Sequence, residues 1–404
     1  MKSRNKIFVW TLYDLGNTSY SIVVVTFLYA VYFKKIVAEN APIGDFYWSL
    51  GTSISMIITA IIAPILGAIA DFSSGKKRFL LFFTLLCIIS TASLYFVKEG
   101  NILGGLLLFI LANLGFEAGL VFYDAFLPEI TLPKNYGRVS GYGYAMGYLG
   151  SLASLALVYP FIASENLNLA FPISALFFLV FAIPIFVFLK DSRKESQIVK
   201  VLDFAKIGIE RVAFTLKNLK HYKNLTTFLI AYFFYIEGVN TVIYFSGNYA
   251  ATTLKFSDIE LLLFFLTVQT TAIGGSVILG IIADSIGQKS TIIISLFIWI
   301  FTILLAYFTV NKSGFYIVGL LAGAAMGSSQ STSRSLMSKL TPFDRKTEFF
   351  GFYSFFGKSS AILGPLIFGL ISYITHNQRY AILSVLFFFL VGMFFLFRVK
   401  ENNE

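Results

Sequence analysis

A few ionisable side chains interrupt long apolar stretches of this 404-residue chain. They are the carboxylates Asp14, Glu117, Asp124 and Glu237 and the cations Arg334 and Lys358. A charge at the centre of a bilayer costs about 3 kcal/mol on insertion scales, so such groups face a protein interior or a water-filled path. Carboxylates and cations that share a cavity favour a small polar or zwitterionic solute, and a carboxylate there can also exchange a proton.

An amide accompanies two of the carboxylates at the same spacing. Asp14-x-x-Asn17 near the start of the chain is matched by Glu237-x-x-Asn240 in its second half. Residues three apart lie on one face of a helix, so each pair presents a carboxylate beside an amide. The candidate substrate- or proton-binding residues are Asp14, Asn17, Glu117, Glu237, Asn240, Lys358 and Arg334.

Structural roles compete with these assignments. Glu117 or Glu237 could form a permanent ion pair, most simply with Lys358, and a paired carboxylate would not carry protons. Arg334 could instead make a contact at a cytoplasmic gate or extend to the lipid headgroups, as long basic side chains do near helix ends.

The composition identifies lipid as the solvent of most of the chain, since 57% of residues are apolar and 13% are charged. A soluble protein carries roughly a quarter charged residues. Open sheets cannot span a bilayer, whereas helices of about 20 apolar residues can. The sequence therefore predicts an all-α polytopic membrane protein. Its twelve predicted spans are 7–33, 46–70, 79–97, 102–126, 139–163, 169–189, 225–250, 259–283, 290–310, 314–338, 348–374 and 379–397.

The distribution of basic residues predicts the orientation. With the N-terminus in the cytoplasm, the inner segments hold 23 lysines and arginines and the outer loops hold 6. This asymmetry satisfies the positive-inside rule and predicts a multi-pass protein of the cytoplasmic (inner) membrane with both termini inside. It also accounts for the net charge of +10 without nucleic acid as a partner.

An internal repeat divides the chain. The segment 65–71, ILGAIAD, recurs as ILGIIAD at 278–284, each time at the end of the second span of its half. The repeat predicts a six-helix bundle over 1–190, a cytoplasmic linker over 191–224 and a second bundle over 225–404. Apolar residues at helical spacing in the linker predict an amphipathic helix on the membrane surface, or equally a plain connecting helix.

The repeated segment ends in a carboxylate beside a basic loop. We expect Asp71 and Asp284 to cap the N-termini of adjacent helices when the inner side is closed, and to release them when it opens. The alternative is an ordinary helix end. The candidate gating residues are Asp71, Asp284, Lys76, Lys77 and Arg78.

These loops resemble the signature of the major facilitator superfamily. They read Gly67-x-x-x-Asp71 with Gly75-Lys76-Lys77-Arg78, and Gly280-x-x-x-Asp284-x-x-Gly287-x-Lys289. The first departs from the signature because Phe72, rather than a basic residue, follows Asp71. The resemblance implies two pseudo-symmetric six-helix bundles in which the first, fourth, seventh and tenth helices line a central cavity.

Other motifs resemble the vacuolar amino-acid effluxer-like branch of that superfamily, whose bacterial members form the Unknown Major Facilitator family. They include Trp10-x-x-Tyr13-Asp14-x-x-Asn17 and the more specific Glu348-Phe349-Phe350-Gly351-Phe352-Tyr353-x-Phe355-x-Gly357-Lys358 with Leu363-Gly364-Pro365. The resemblance runs from Trp10 to about Leu370 and implies efflux of amino acids.

The sequence contains no catalytic triad, metal-ligand cluster or phosphate-binding loop, which predicts that the protein is not an enzyme and needs no cofactor. We expect a monomeric secondary transporter of an amino-acid-like solute, proton-coupled and working by alternating access, with the solute, H⁺ and membrane lipid as partners. Two other functions remain open: a lipid or lysolipid flippase of the same fold, and a non-transporting sensor or interaction protein.

Overall fold

Helices make up most of the part of the chain that the structure describes. The computed structural model describes residues 3–41, 43–73, 75–164, 166–190, 201–361 and 363–401. No β-strand occurs within these ranges. The all-α prediction is confirmed. Its physical reason is that an α-helix pairs its backbone donors and acceptors within its own segment, where lipid offers no partner.

The first half of the chain contains eight of the α-helices. They are α1 (Ser3–Tyr20), α2 (Leu28–Tyr32), α3 (Ile43–Ser73), α4 (Lys76–Ser93), α5 (Ile102–Asp124), α6 (Leu127–Ile130), α7 (Tyr136–Ala163) and α8 (Leu167–Phe188). Segments Ser21–Phe27 and Phe33–Val37 are π-helical, and Leu94–Phe96 and Pro133–Asn135 are 3₁₀-helical.

The rest of the described chain contains eight more. They are α9 (Val201–Lys217), α10 (Lys223–Thr252), α11 (Asp258–Ile286), α12 (Gln288–Phe308), α13 (Lys312–Leu340), α14 (Lys346–Ser360), α15 (Leu363–Thr375) and α16 (Gln378–Phe397).

Eleven helical stretches in the described ranges are long and apolar enough to cross a membrane. They correspond to every predicted span except the tenth, which coincides with α13. This helix has 29 residues, but Ser, Thr and Gln crowd its second half and lower its hydropathy. The count of twelve is thus consistent with the structure without being confirmed by it.

Contacts between helices divide the chain into two units. Unit 1 comprises Met1–Ile130, Met146–Phe214 and Phe343–Phe355, and unit 2 comprises Thr131–Ala145, Thr215–Pro342 and Phe356–Glu404. The helices α7 and α14 therefore contribute to both units. The division into 1–190, a linker and 225–404 rests on the sequence repeat and stays a prediction.

Unit 1 is held together by α1 against α8, α4 against α5 and α8, and α3 against α5. Glycine permits close approach at Gly115, where a β-carbon would collide with the main chain of Phe83 and Cys87. Trp10 and Tyr123 join α1 to α5 by stacked rings 4.7 Å apart, and each side chain donates a hydrogen bond to the other residue's carbonyl.

Unit 2 is held together by α11 against α13, α10 against α16, and α12 against α13 and α16. Gly323 and Gly327 of α13 lie against the carbonyls of Val268 and Ala272 on α11. Such stripes of small residues let membrane helices pack closely, where lipid supplies no hydrophobic driving force.

The eleventh predicted span is interrupted where the Gly364-Pro365 pair falls. The helix α14 ends at Ser360 and α15 begins at Leu363. Proline removes a backbone donor and clashes with the preceding turn, which explains why the helix breaks here.

The structure describes only part of the predicted linker, because residues 191–200 lie outside the described ranges. The helix α9 rests on the end of α3: Gly208 lies against Ile65 and Ile69, and Arg211 donates a hydrogen bond of 3.3 Å to the carbonyl of Ala68. Apolar Ile209 stays exposed, as expected for a helix at a membrane surface.

Candidate functional site

The first polar cluster of unit 1 lies on α1. The side chains of Asp14 and Asn17 are buried, and the Asn17 amide donates a hydrogen bond of 3.4 Å to the Asp14 carboxylate. The predicted carboxylate–amide pair therefore forms through the helical spacing alone. Gly147 packs beside it, and its carbonyl accepts a hydrogen bond from Thr18.

The second cluster of unit 1 surrounds Glu117 on α5. Glu117 is buried, and Asn113 lies one helical turn before it. The Asn113 amide donates to the Ser55 hydroxyl at 2.8 Å, and the Tyr20 hydroxyl donates to the Asn113 oxygen at 3.4 Å. Side chains of three helices thus meet in a polar layer beside Glu117, and the predicted site includes only the carboxylate.

In unit 2, Glu237 on α10 caps the broken span. One carboxylate oxygen accepts a hydrogen bond from the backbone N–H of Gly364, at the start of α15. The other oxygen is buried and has no hydrogen-bond partner among the described residues. An ionised carboxylate at this position is stabilised by the N–H and by the positive end of the α15 dipole.

The other two predicted residues of this region are less enclosed. Asn240 and Lys358 are both half-buried, on α10 and near the end of α14 respectively. The hydrogen bond that the structure gives Glu237 is to the main chain, so the alternative of a permanent ion pair with Lys358 stays a prediction.

The Arg334 side chain is enclosed in unit 2, with 2% of its surface exposed. Its guanidinium donates to the hydroxyl and the carbonyl of Ser140, each at 2.9 Å, and lies 4.3 Å from the centre of the Tyr144 ring. Since the side chain points into protein, it does not extend to the headgroups.

A serine-rich seam on α13, residues 328–335, includes Arg334, and the hydroxyl contacts of this seam were not predicted. The Tyr235 hydroxyl lies 2.6 Å from that of Ser333, and the hydroxyls of Ser295 and Ser328 are 2.5 Å apart. The signal was the run Ser-Ser-Gln-Ser-Thr-Ser-Arg inside an apolar helix. The Tyr235–Ser333 contact brings α10 and α13 together within one turn of both Glu237 and Arg334.

Asp71 caps a helix, as its motif predicts. Its carboxylate accepts hydrogen bonds from the backbone N–H groups of Thr347 (3.1 Å) and Glu348 (2.8 Å), the second and third residues of α14. Gly67, one turn earlier on α3, allows the approach, because a β-carbon there would collide with the Thr347 carbonyl.

Asp284 makes the matching contact in unit 2. Its carboxylate accepts hydrogen bonds from the N–H groups of Gly137 (2.7 Å) and Arg138 (3.2 Å), the second and third residues of α7. The Arg138 guanidinium also pairs with it at 2.6 Å. Gly280 lies against the Gly137 carbonyl, as Gly67 lies against that of Thr347.

The three basic residues that follow Asp71 differ in their contacts and exposure. Lys76 is buried and pairs with Glu129 at 2.5 Å, and Lys346 lies 3.8 Å from the same carboxylate. Lys77 donates to the carbonyl of Leu189 at 2.6 Å, and Arg78 is exposed. Glu129 and Lys346 were absent from the predicted site.

Comparison with known proteins places this geometry in a family. The model of the family described as "Vacuole effluxer Atg22 like" matches residues 47–404. An uncharacterized MFS-type transporter of Bacillus subtilis, YxiO, is 34% identical over 98% of this chain and 95% of its own. Autophagy-related protein 22 of Kluyveromyces lactis is 27% identical over 84% of this chain and 76% of its own.

Solved structures share the fold. The human organic anion transporter MFSD10 (TETRAN) superimposes with a TM-score of 0.77 at 16% identity, covering 98% of this chain and all of that one. The proton:xylose symporter XylE gives 0.76 at 14% identity, covering 98% and 95%. Together with the capped helices and the buried ionisable side chains, these matches identify a multi-pass membrane transporter rather than an enzyme, and the chain belongs to the Atg22-like vacuole effluxer family.

Proposed function

We propose that the protein exports a small zwitterionic, amino-acid-like solute in exchange for protons, with Glu237 as the proton site. The observation that carries this proposal is the buried Glu237 carboxylate, which uses one oxygen to cap α15 and keeps the other without a hydrogen bond among the described residues. Glu117 is the second candidate, on the evidence of its burial beside Asn113.

Protonation of Glu237 changes how α15 is held. The ionised carboxylate attracts the Gly364 N–H and the positive end of the helix dipole, and a neutral carboxyl attracts both more weakly. The charge state of one side chain is thereby linked to the position of the half-helix that follows the break. Discontinuous helices of this kind form the solute and ion sites of many transporters.

A solute ammonium group and a proton would compete for the same carboxylate. Binding of either one disfavours the other, and by linkage the solute affinity falls as protons bind. Such competition is the basis of exchange, in which a proton entering from one side displaces the solute toward the other. Arg334, fixed by Ser140 and Tyr144 on the adjoining helix, is suited to a solute carboxylate.

The two capping carboxylates are suited to gating. Asp71 belongs to the first half of the sequence and holds a helix of the second half, and Asp284 does the reverse. Opening of the solute pathway on the cytoplasmic side would require the N-termini of α14 and α7 to move away from Asp71 and Asp284. We assign Asp71, Asp284 and Lys76 to this gate, with Lys77 and Arg78 beside it.

The coupling is tested with the Glu237→Gln variant reconstituted in liposomes containing a pH-sensitive dye. Glutamine keeps an oxygen for the Gly364 N–H but cannot ionise, so it should bind the solute ammonium more weakly. Exchange between compartments saturated with solute should persist, while gradient-driven accumulation is lost. Glu117→Gln separates the two candidates, because this carboxylate is also buried but lies on α5. If Glu237 is the proton site, the Glu117→Gln variant should keep gradient-driven accumulation. Accumulation with normal pH dependence in the Glu237→Gln variant would contradict the assignment.

The membrane orientation is tested with introduced cysteines. Cys87, the one native cysteine, is fully buried, so we expect only the introduced thiol to react with the reagent. In intact cells we expect impermeant reagents to label Glu99→Cys and Asn377→Cys but not Lys134→Cys, as the positive-inside rule requires. Labelling of Lys134→Cys in intact cells would contradict the predicted orientation.

A further inference from the structure

A cleft of about 660 Å³ lies in unit 2 where α16 ends and α12 begins. Three cations line it, Lys289, Arg398 and Lys400, and apolar Ile286 and Phe397 form its other wall. It belongs to neither the Glu237 region nor the two helix caps. Both helices that border it are membrane spans, so the cleft opens at the boundary between lipid and water.

The floor of the cleft is the C-terminal segment, residues 398–401, which Glu401 holds in place. The Glu401 carboxylate accepts hydrogen bonds from the N–H groups of Gln288 (2.9 Å) and Lys289 (2.7 Å), and it pairs with Lys339 at 3.0 Å. This carboxylate is therefore occupied by the start of α12 and by a cation outside the cleft. Asn224 holds the same segment through two hydrogen bonds to the main chain of Lys400.

The cations of the cleft keep their charge available to a ligand. The Lys289 ammonium donates to the carbonyls of Phe397 (2.9 Å) and Val399 (2.8 Å), which are neutral. The exposed Arg398 guanidinium stacks over the Phe394 ring at 4.2 Å. Among the residues that the structure describes, no acidic side chain pairs with Lys289, Arg398 or Lys400.

The apolar wall sets the kind of anion. Ile286 is 46% exposed and Phe397 is 55% exposed, and both extend from lipid-facing helices. A ligand that filled the cleft would place an anionic group on the cations and a hydrocarbon chain along these side chains. Basic pockets between spans at the membrane surface recognise the phosphate groups of lipids in this way.

We propose that this cleft binds the phosphate headgroup of an anionic phospholipid. The phosphate would bridge Lys289 at the start of α12 and the basic side chains of the C-terminal segment, Arg398 and Lys400. Because Glu401 caps α12 from that same segment, a bound lipid would also strengthen the cap.

The test compares lipid binding by the purified full chain and by the Arg398→Gln/Lys400→Gln double variant. Phosphatidylglycerol is added to protein in neutral detergent, bound lipid is counted by native mass spectrometry, and the melting temperature is recorded. Each basic residue near a membrane surface contributes about 1 kcal/mol to anionic-lipid binding, so the double variant should bind phosphatidylglycerol roughly 30-fold more weakly. Phosphatidylcholine should bind both proteins equally and weakly.

The control is Lys220→Gln/Lys223→Gln, which removes two charges near the start of α10, outside the cleft. It should retain wild-type binding of phosphatidylglycerol. Equal binding by the cleft variant and the wild type would overturn the proposal. Stabilisation by inorganic phosphate equal to that by phosphatidylglycerol would also overturn it, because the ligand would then be a free anion and the apolar wall would have no role.

Discussion

The two helix caps, Asp71 on α14 and Asp284 on α7, share a backbone geometry but differ in their charged surroundings. In both, a carboxylate accepts hydrogen bonds from the N–H groups of the second and third residues of a helix. A glycine one turn before the carboxylate lies against the main chain of that same helix. At Asp284 the cation is Arg138, whose side chain is 42% exposed. Near Asp71 the cations are buried and share Glu129.

The difference shows which part of the motif the repeat duplicates. The glycine and the carboxylate recur because helix capping at close approach requires them at both sites. The charge partners do not recur, and the two sites consequently differ in their access to water and salt. We expect the Asp71 cap to depend on burial and the Asp284 cap to respond to ionic strength.

The largest effect is expected from removing a capping carboxylate. Asp71→Ala and Asp284→Ala each lose two backbone hydrogen bonds to a charged acceptor, and Asp284→Ala also loses its pair with Arg138. The two backbone hydrogen bonds contribute about 3 kcal/mol together, which is roughly a 100-fold shift of the conformational ratio toward the inward-open state. Spin labels at Asn5→Cys and Ser290→Cys, both exposed, report the shift as a longer distance between labels.

The milder Asp71→Asn and Asp284→Asn substitutions should shift the ratio in the same direction while solute affinity is kept. Asp344→Ala removes an exposed carboxylate just before α14 and serves as the control. Unchanged distances in both alanine variants would refute the gating role.

The next largest effect should separate the two charge environments. Lys76→Met removes the partner of a largely buried carboxylate, since the Lys76 and Glu129 side chains are 6% and 15% exposed. Breaking a buried pair costs 3–5 kcal/mol, and we expect about 2 kcal/mol here because Lys346 remains nearby. Thermal unfolding in detergent measures the loss. Arg138→Met should cost less than half as much, and equal losses would remove the distinction between the sites.

A smaller effect is expected from the paired glycines. In Gly67→Ala and Gly280→Ala a methyl group meets a main-chain carbonyl, more closely at Gly67 than at Gly280. Overpacking of this kind costs about 1–2 kcal/mol, so the same spin labels should show a roughly tenfold shift, larger for Gly67→Ala. Gly274→Ala is the matched control, because nothing lies within 4 Å of its added carbon.

The smallest effect is expected from salt. Arg138 is 42% exposed while Asp284 is 1% exposed, so salt screens their pair only from the arginine side. We expect Arg138→Gln to shift the ratio no more than about fivefold, and molar salt to reproduce part of that shift in the wild type. Once Arg138 is replaced, added salt should have no further effect on the distances. A salt response that persists in the Arg138→Gln variant would place its origin elsewhere.

Periodicity and repetition were sufficient to predict the helical fold and the capping carboxylates. Asp14 and Asn17 meet because they are neighbours on one helix, and Asp71 and Asp284 were found because their segment occurs twice. Glu129 and Lys346 were not found, since their meeting depends on packing between helices far apart in the chain. The hydroxyl contact between Ser333 and Tyr235 was not predicted for a related reason: serine carries no charge, and only the fold shows that it joins α13 to α10.

Membrane depth adds a second requirement to the contact between Glu237 and Gly364. At 1.5 Å per residue the 13 residues of α15 span about 20 Å, less than the roughly 30 Å hydrocarbon thickness, so we expect the broken end to lie inside the nonpolar layer. There a backbone N–H without an acceptor costs several kcal/mol, because no water is present to replace the missing helical partner. We therefore expect an apolar substitution at position 237 to lower the amount of protein in the membrane, an effect separate from any loss of proton coupling.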